Sequence, residues 1–404
     1  MSARGFRGVS LRAGIKTQGD DLCLLWSETS ATCAAVWTQN AVKAAPVWIS
    51  AEHAQNATTR AIVCNSGNAN CCTGEQGQRD AIAMCELASR VLDCDKREVL
   101  VCSTGIIGHK LPMPKIESAL QTLDINTHFS SEQMARAVMT TDLVPKFCAV
   151  SFQVNGQTVT IGGQAKGVGM IGPNMSALDP ASILQSPASS LHATMLAFLT
   201  TDARVEKQLL QRALEEVVAR SFNSVTVDGD TSTNDSCILL ANGASSVEIS
   251  EIEYSIFVDA LQNVCVELAR KIARDGEGAT KLVQIDVAGA GTEGDAKTIA
   301  MTIANSPLVK TAIFGRDPNW GRIAAAAGRS GVVFDAAKMR ISLGNVEVFC
   351  DGEPNDFDLS AAEEQMSYDD LTISVQLDEG SASWTAWTCD FSYEYVKINA
   401  EYHT

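Results

Sequence analysis

"LHATMLAFLTTDA" occupies residues 191–203. Its apolar run, closed by two threonines, reads as a short buried strand, since Thr as well as larger apolar residues suits a pleated surface. Two small residues, Ala193 and Thr194, open that strand. Before them lie residues 174–192, which carry Pro180, Pro187, five Ser and no sustained period of 2 or 3.6, and therefore read as an exposed loop. A threonine at the junction between such a loop and a buried strand calls for an explanation.

Working outward, residues 22–26, 31–37, 61–64 and 98–102 read as strands, with a shaped Asn/Gly loop at 65–77, a helix at about 78–92 and a second Gly loop, "STGIIG", from Ser103. A helix at 131–138 runs into "MTTD". Asn155-Gly156, between two alternating runs, is a strong hairpin signal. After Thr194, two helices are expected at about 205–221 and 255–273, then a strand at 282–288, a helix near 295–304 and strand-rich stretches at 332–350 and 371–398. The residues alone give a mixed α/β chain without internal repeats.

With 404 residues, 46% of them hydrophobic and 20% charged, the chain has room for two or three domains and a large core, which excludes disorder and fibre. A net charge of −17, with no Lys/Arg run longer than two, argues against a nucleic-acid surface. Thirteen cysteines, scattered and without a CxxC pair, fit neither a zinc site nor a disulfide framework; they read as small buried residues in a reducing compartment. No apolar run nears the ~18 residues that span a bilayer, and no secretory signal opens the chain, so cytoplasm is the expected location, or the mitochondrial matrix in a eukaryote.

Two familiar chemistries fail. "KGVGMIG" (166–172) has the spacing of a dinucleotide fingerprint, but Pro173 and a Pro/Ser loop stand where its helix should begin. No G-x-S-x-G elbow is present, and His53, His109, His128, His192 and His403 sit in no acid–base context. A nucleophile without a histidine needs another base. A threonine at a chain N-terminus has one in its own α-amine, whose pKa is about 8. Thr194 could serve in this way only if the chain cut itself before it.

The ordered motifs "NSGNAN", "CSTGIIG", "MTTD..PK", "AKGVGMIGPNM…ATMLAFLTTDA", "STND", "DGEGATK", "VKTAIFGRDPNWGR" and "YVKINAEY" resemble the ornithine acetyltransferase family, the bifunctional glutamate N-acetyltransferase/ornithine acetyltransferases of arginine biosynthesis, over nearly the full length. The resemblance implies an N-acyltransferase that cleaves itself between Ala193 and Thr194. Residues 1–193 would form an α chain carrying the oxyanion hole and a substrate loop, and 194–404 a β chain that begins with the nucleophile. It further implies ping-pong acetyl transfer from N-acetylornithine to glutamate through acetyl-Thr194.

Family correspondence gives Thr104 and Gly105 as the oxyanion hole and Thr140, Lys166, Thr194, Glu277, Asn399 and Thr404 as substrate-binding residues. Glu277 also assists proton traffic in this scheme. The charges suit the substrate, with Lys166 for an α-carboxylate and Glu277 for an amino group. No metal or cofactor is implied, and the motifs leave open whether acetyl-CoA is a second acetyl donor. An α2β2 heterotetramer, or a larger assembly, is expected. The implied fold is an α-β-β-α sandwich of the self-processing N-terminal-nucleophile kind with a second α/β lobe.

One departure stands out. The family runs almost directly from its "KG.GMI.PNM" motif into "ATML", whereas 28 positions separate Lys166 from Thr194 here, so residues 176–192 read as an insertion. A long surface loop costs little stability but preorganises a cleavage site less well, so slower cleavage is expected. Two alternatives remain open at this point: an N-terminal-Thr hydrolase or aminopeptidase, and an uncleaved protein that only binds amino acids.

Overall fold

The computed structural model describes residues 3–126, 130–178 and 195–401. The chain folds as two compact units, one of residues 3–219 with 231–268 and the other of 220–230 with 269–401.

In the first unit the elements run β1 (Phe6–Leu11), β2 (Leu22–Thr38), α1 (Ala45–His53), β3 (Thr59–Asn68), α2 (Gly74–Leu92), β4 (Val99–Ile106), α3 (Met113–Gln121), α4 (Ser131–Val138), β5 (Lys146–Val154), β6 (Gln157–Lys166), β7 (Met175–Ser176), β8 (Leu196–Thr201), β9 (Arg204–Val205), α5 (Lys207–Ala219), β10 (Ser236–Ala241) and β11 (Glu248–Ile249). Helix α6 (Tyr254–Arg274) follows. The main sheet has the order β4-β3-β2-β10-β8-β6-β5.

The two strands expected at 22–26 and 31–37 are one continuous strand of 17 residues. Its first half pairs with β1 and β3, its second half with β10, and the register breaks between Trp26 and Ala31. Strand β2 thereby belongs to both halves of the sheet. Alternation then sorts its side chains. Leu22, Leu24 and Trp26 pack with Ala61, Val63, Val99 and Val101 beneath Met84, Ala88, Ile116 and Leu120 of α2 and α3. Cys23, Leu25, Ile62, Cys64, Leu100 and Cys102 instead share a core with Leu196 and Phe198 of β8 and Ile238 and Leu240 of β10. On the far side, Gly163 of β6 lies under Val264 and Leu268 of α6, where an added Cβ would sit 3.2 and 3.1 Å from them. The layers are helix, sheet, sheet, helix, the architecture expected from the family resemblance.

Hairpin β5–β6 turns at Asn155-Gly156, both with positive φ, as the sequence anticipated. The side-chain amide of Gln211 on α5 donates to the Ala35 carbonyl (3.1 Å) and accepts from the Ala35 N–H (3.0 Å), so a side chain takes the place of a neighbouring strand there. Nine of the thirteen cysteines are buried, in keeping with their reading as small core residues.

The second unit is an α/β lobe with elements β12 (Leu282–Ala290), α7 (Glu293–Ala304), α8 (Pro307–Phe314), α9 (Trp320–Gly328), β13 (Arg340–Leu343), β14 (Val346–Cys350), β15 (Glu353–Pro354), α10 (Leu359–Ser367), β16 (Asp370–Gln376), β17 (Ala382–Cys389) and α11 (Tyr393–Glu401). Its sheet has the order β15-β14-β13-β16-β12-β17, with β12 and β16 parallel. The expected strand-rich stretch at 371–398 holds for β16 and β17 only, and the chain from Tyr393 is helical. Among the described residues no helix is long and apolar enough to cross a membrane, and no cluster of His, Cys, Asp and Glu could hold a metal ion.

Candidate functional site

Thr104 and Gly105 lie in the last turn of β4, in parallel register with Ser66 and Gly67 of β3. The strands converge so closely there that a Cβ on Gly105 would stand 2.3 Å from the Gly67 carbonyl carbon and 2.4 Å from the Asn68 nitrogen. Gly105 also has φ +132°, which a side chain rarely adopts. The absent side chain is therefore a requirement of the backbone. Thr104 itself is fully buried.

Lys166, the last residue of β6, is 1% exposed, and its ammonium donates to the hydroxyls of Thr104 (3.2 Å) and Thr140 (3.0 Å). A buried ammonium needs compensating charge. Asp142 supplies it: one carboxylate oxygen lies 3.9 Å from Lys166, and the other takes the ammonium of buried Lys146 at 2.8 Å and the Gly167 N–H at 2.9 Å. The Thr140 N–H donates to the same carboxylate at 3.1 Å. Burial by itself would raise the Asp142 carboxyl, but Lys166, Lys146 and these hydrogen bonds outweigh it and hold it down to about 2. Three of the residues singled out from the sequence, Thr104, Thr140 and Lys166, thus meet around one ammonium, with Asp142 as its buried counter-ion.

Opposite Lys166 in the β6–β8 ladder stands Leu196, two residues beyond Thr194. Thr194 and Ala193, the expected scissile pair, lie outside the described residues, as do His192, Thr404 and residues 179–191 of the expected insertion; Ser176 pairs with Trp37 through β7. Met195, next to Thr194 in the chain, is fully buried, and its N–H donates to Asp235 at 2.7 Å.

Asp235 closes the segment Ser232–Asp235, the "STND" of the sequence. Its neighbour Asn234 donates to the carbonyls of Ala69 (2.7 Å) and Ser103 (2.9 Å), so the segment grips both the end of β3 and the residue before Thr104. Ser103 in turn donates to Asn65 at 2.6 Å, and Asn65 to the Asn68 carbonyl at 2.8 Å. These amides fix the turn that carries Thr104 and Gly105. The sequence contained the signal, since "MTTD" and "STND" both marked the resemblance, but nothing in either word says that its aspartate is buried. No helix follows "KGVGMIG" among the described residues, and the dinucleotide reading falls with it.

In the second unit, Glu277 accepts a hydrogen bond from the Asn399 amide at 3.0 Å, and that amide also donates to the Tyr395 carbonyl at 2.9 Å. Gly278 has φ +70°, and a Cβ on it would lie 2.4 Å from the Tyr395 nitrogen, so the "DGEG" turn lies directly on α11. Asp390 braces the segment after this turn by accepting the N–H groups of Thr280 (2.8 Å) and Lys281 (3.0 Å). Burial, together with the carboxylates of Asp228 and Glu277, raises the Tyr395 phenol. Glu277 and Asn399, far apart in sequence, form one polar pair.

Comparison with known proteins completes the assignment. The model of the ArgJ family matches residues 7–404. Similar proteins include the arginine biosynthesis bifunctional protein ArgJ of Thermosynechococcus vestitus, 46% identical over all of this chain and 97% of its own length. The protein of the same name from Oceanobacillus iheyensis is 43% identical over all of this chain and 96% of its own. Among solved structures, the arginine biosynthesis bifunctional protein ArgJ of Bacillus halodurans aligns with TM-score 0.50 and 42% identity, covering 52% of this chain and 100% of its own. The chain belongs to the ArgJ family, the ornithine acetyltransferases whose motifs its sequence carries.

Proposed function

We propose that this acyltransferase of arginine biosynthesis moves an acetyl group from N-acetylornithine to glutamate through an acetyl ester on Thr194, after cutting its own chain between Ala193 and Thr194. The Thr194 oxygen attacks the acetyl carbonyl, the oxyanion is held by the Thr104 hydroxyl and the Gly105 N–H, and ornithine departs as an amine. Glutamate's amine then takes the acetyl group and restores the hydroxyl. Lys166 and Thr140 serve the α-carboxylate side of the substrate. Glu277, Asn399 and Thr404 serve its amino group, with Glu277 carrying protons.

The observation that carries this reading is the buried contact of Lys166 with Thr104 beside Gly105. Because Lys166 fills an acceptor site on the Thr104 oxygen, the hydroxyl proton is left to point at a developing negative charge. Such preorganised donors are worth about 3 kcal/mol each in acyl transfer. An α2β2 heterotetramer, a cytoplasmic setting, the absence of a bound cofactor and a role for acetyl-CoA as second donor belong to the same proposal.

The test is the intact mass of the denatured protein, with Thr194→Ala as control, together with acetyl transfer from N-acetylornithine in the presence and absence of glutamate. Two fragments meeting at Ala193/Thr194, absent from the control, and turnover that requires glutamate are expected. One unbroken wild-type chain overturns the cleavage step. Equal deacetylation without glutamate makes the protein a hydrolase.

A further inference from the structure

A third lysine reaches the turn of Thr140. Lys16 lies in the loop between β1 and β2, where the buried carboxylate of Asp21 accepts the N–H groups of Ala13 (2.6 Å), Ile15 (2.5 Å) and Lys16 itself (2.9 Å). With its backbone fixed in this way, the side chain runs across the end of β3, so closely that a Cβ on Gly67 would stand 2.8 Å from Lys16 Cγ. Gly67 is the residue in register with Gly105, and its carbonyl carbon is what denies Gly105 a side chain. The ammonium then donates to the Met139 carbonyl at 2.9 Å and, at a longer 3.4 Å, to that of Ala137. The Met139 carbonyl belongs to the same planar peptide unit as the Thr140 N–H, which donates to Asp142. Lys16 therefore spans the two turns that carry Gly105 and Thr140.

Its donors set it apart from Lys166. The Lys166 ammonium is out of contact with solvent and is engaged by Thr104, by Thr140 and, at 3.9 Å, by Asp142. Lys16 is only half-buried, and among the described residues its ammonium has two hydrogen-bond partners, both neutral carbonyls. An ammonium carries three N–H bonds, so one is left for an acceptor from outside the chain. A lysine on the last carbonyls of a helix is an ordinary cap, and α4 ends at Val138. A cap has no need, however, to lie across Gly67 beside the Gly105 turn.

We propose that Lys16 is a substrate-binding residue, whose remaining N–H meets the α-carboxylate common to N-acetylornithine and glutamate; this assignment rests on the acetyl transfer proposed above. Lys166 then acts on the same carboxylate through its charge, and Thr140 through its hydroxyl. A carboxylate is the fitting partner, because an ammonium hydrogen-bonded only to neutral carbonyls gains most from an acceptor of opposite charge. Burial lowers the Lys16 pKa, Asp21, Asp142 and Asp20 oppose the shift, and Lys166 adds to it, so a bound anion also relieves the repulsion between the two ammonium groups. Both substrates of a ping-pong exchange use one site in turn, and one cation serves the end that they share.

The test compares Lys16→Met with wild type in the full chain, by steady-state kinetics and by isothermal titration with ornithine and with ornithine amide, in which a carboxamide replaces the α-carboxylate. KM for N-acetylornithine and KM for glutamate are each expected to rise about 20-fold, with kcat within about threefold. Wild type should bind ornithine about 20-fold more tightly than the amide, and Lys16→Met should lose most of that preference. A cap alone moves acid and amide together, so a variant that keeps the wild-type preference overturns the inference, as does an unchanged KM for N-acetylornithine. A rise confined to glutamate also overturns it, since the contact would then be to the second carboxylate. If Lys16→Met does not fold, as judged by circular dichroism, Lys16→Gln keeps a donor for the Met139 carbonyl without the charge, and the same acid-against-amide comparison decides. Retained acetyl transfer in Thr194→Ala overturns the reading of the reaction itself, whereas an inactive Thr194→Ala beside an unaltered Lys16→Met overturns the inference alone.

Discussion

The ammonium of Lys166 donates to the hydroxyl of Thr104 at 3.2 Å, with both side chains out of contact with solvent. The contact joins the last residue of β6 to the end of the edge strand β4. It also makes a substitution at 166 separable from one at 146. Lys166→Met leaves Asp142 paired with Lys146 at 2.8 Å, so the chain should fold with a modest loss of Tm. Freed of its ammonium, the Thr104 hydroxyl loses its orientation, and kcat should fall roughly 100-fold. Lys146→Met takes the 2.8 Å partner from a buried carboxylate and should cost about 3 kcal/mol. Urea melts and steady-state rates on the two variants distinguish them, and equal destabilisation by both would refute the division of labour.

Gly105→Ala tests the proposed oxyanion role of this turn from the backbone side. The new Cβ would lie 2.3 Å from the Gly67 carbonyl carbon, and φ +132° admits no easy escape. The two strands must part, at a cost of about 3 kcal/mol, and the Gly105 N–H moves with them. Slow cleavage and loss of transfer are expected together. A Gly105→Ala chain that matures at the wild-type rate would show that this N–H does not stabilise the reacting carbonyl.

Two aspartates give opposite pH signatures. Asp142, held at about 2 in the fold, contributes stability that is present above the unfolded carboxylate range and is lost as pH falls through about 2. Asp235, raised to about 7, does the reverse, because the folded chain retains a proton that the unfolded chain has released. Its contribution therefore declines as pH rises from about 4 through 7. Relative to wild type, the Tm of Asp235→Asn should thus gain steadily over that interval and level off above it. A constant difference in Tm across the interval would mean that Asp235 titrates like an ordinary carboxylate.

Legibility of the sequence followed local chemistry. Asn155-Gly156 announced its hairpin because both residues must take positive φ, and the helices at 131–138 and 254–274 announced themselves through their period. In sequence β2 reads as two strands because its partner changes from β3 to β10 midway, and pairing with distant strands leaves no trace in period. Residues 393–401, rich in β-branched and aromatic side chains, resemble a strand until Ser392, whose hydroxyl accepts the Glu394 N–H, starts a helix. Helices α8 and α9 carry local start signals, Pro307 at the first helical position and Asn319 as an N-cap that accepts the Arg322 N–H. At the site, Thr104, Gly105, Thr140 and Lys166 came from the family motifs. Asp142, after Thr141, and Asp235, between Asn234 and Ser236, carry no local signal, because an isolated aspartate beside small polar residues reads as a turn until the surrounding strands bury it.

The Glu277–Asn399 pair provides a test within the second unit. Asn399→Ala removes the donor that holds Glu277 Oε2 at 3.0 Å, while the carboxylate itself remains. If the pair recognises the substrate amine, KM for N-acetylornithine should rise about tenfold with little change in kcat. Glu277→Gln removes the charge as well and should lower kcat too, since proton traffic is assigned to that carboxylate. Isothermal titration with ornithine checks the binding half independently of turnover, and unchanged affinity in both variants would remove the pair from the substrate site.

Lys310 provides the contrasting case of a buried cation outside the proposed substrate set. It is 1% exposed, and its ammonium donates to the Thr388 hydroxyl at 2.7 Å and to the Cys389 carbonyl, 4.7 Å from the centre of the Phe391 ring. Burial lowers its pKa, and the neighbouring Cys389 and Asp390 pull it back. Together these contacts pin α8 to the end of β17, within the second unit. Lys310→Met fills most of the same volume but leaves the Cys389 carbonyl without this donor, so a loss of about 2 kcal/mol is expected. Because none of its partners belongs to the proposed substrate set, kcat and KM per folded molecule should match wild type. A changed KM in the folded fraction would extend the substrate site to this end of β17.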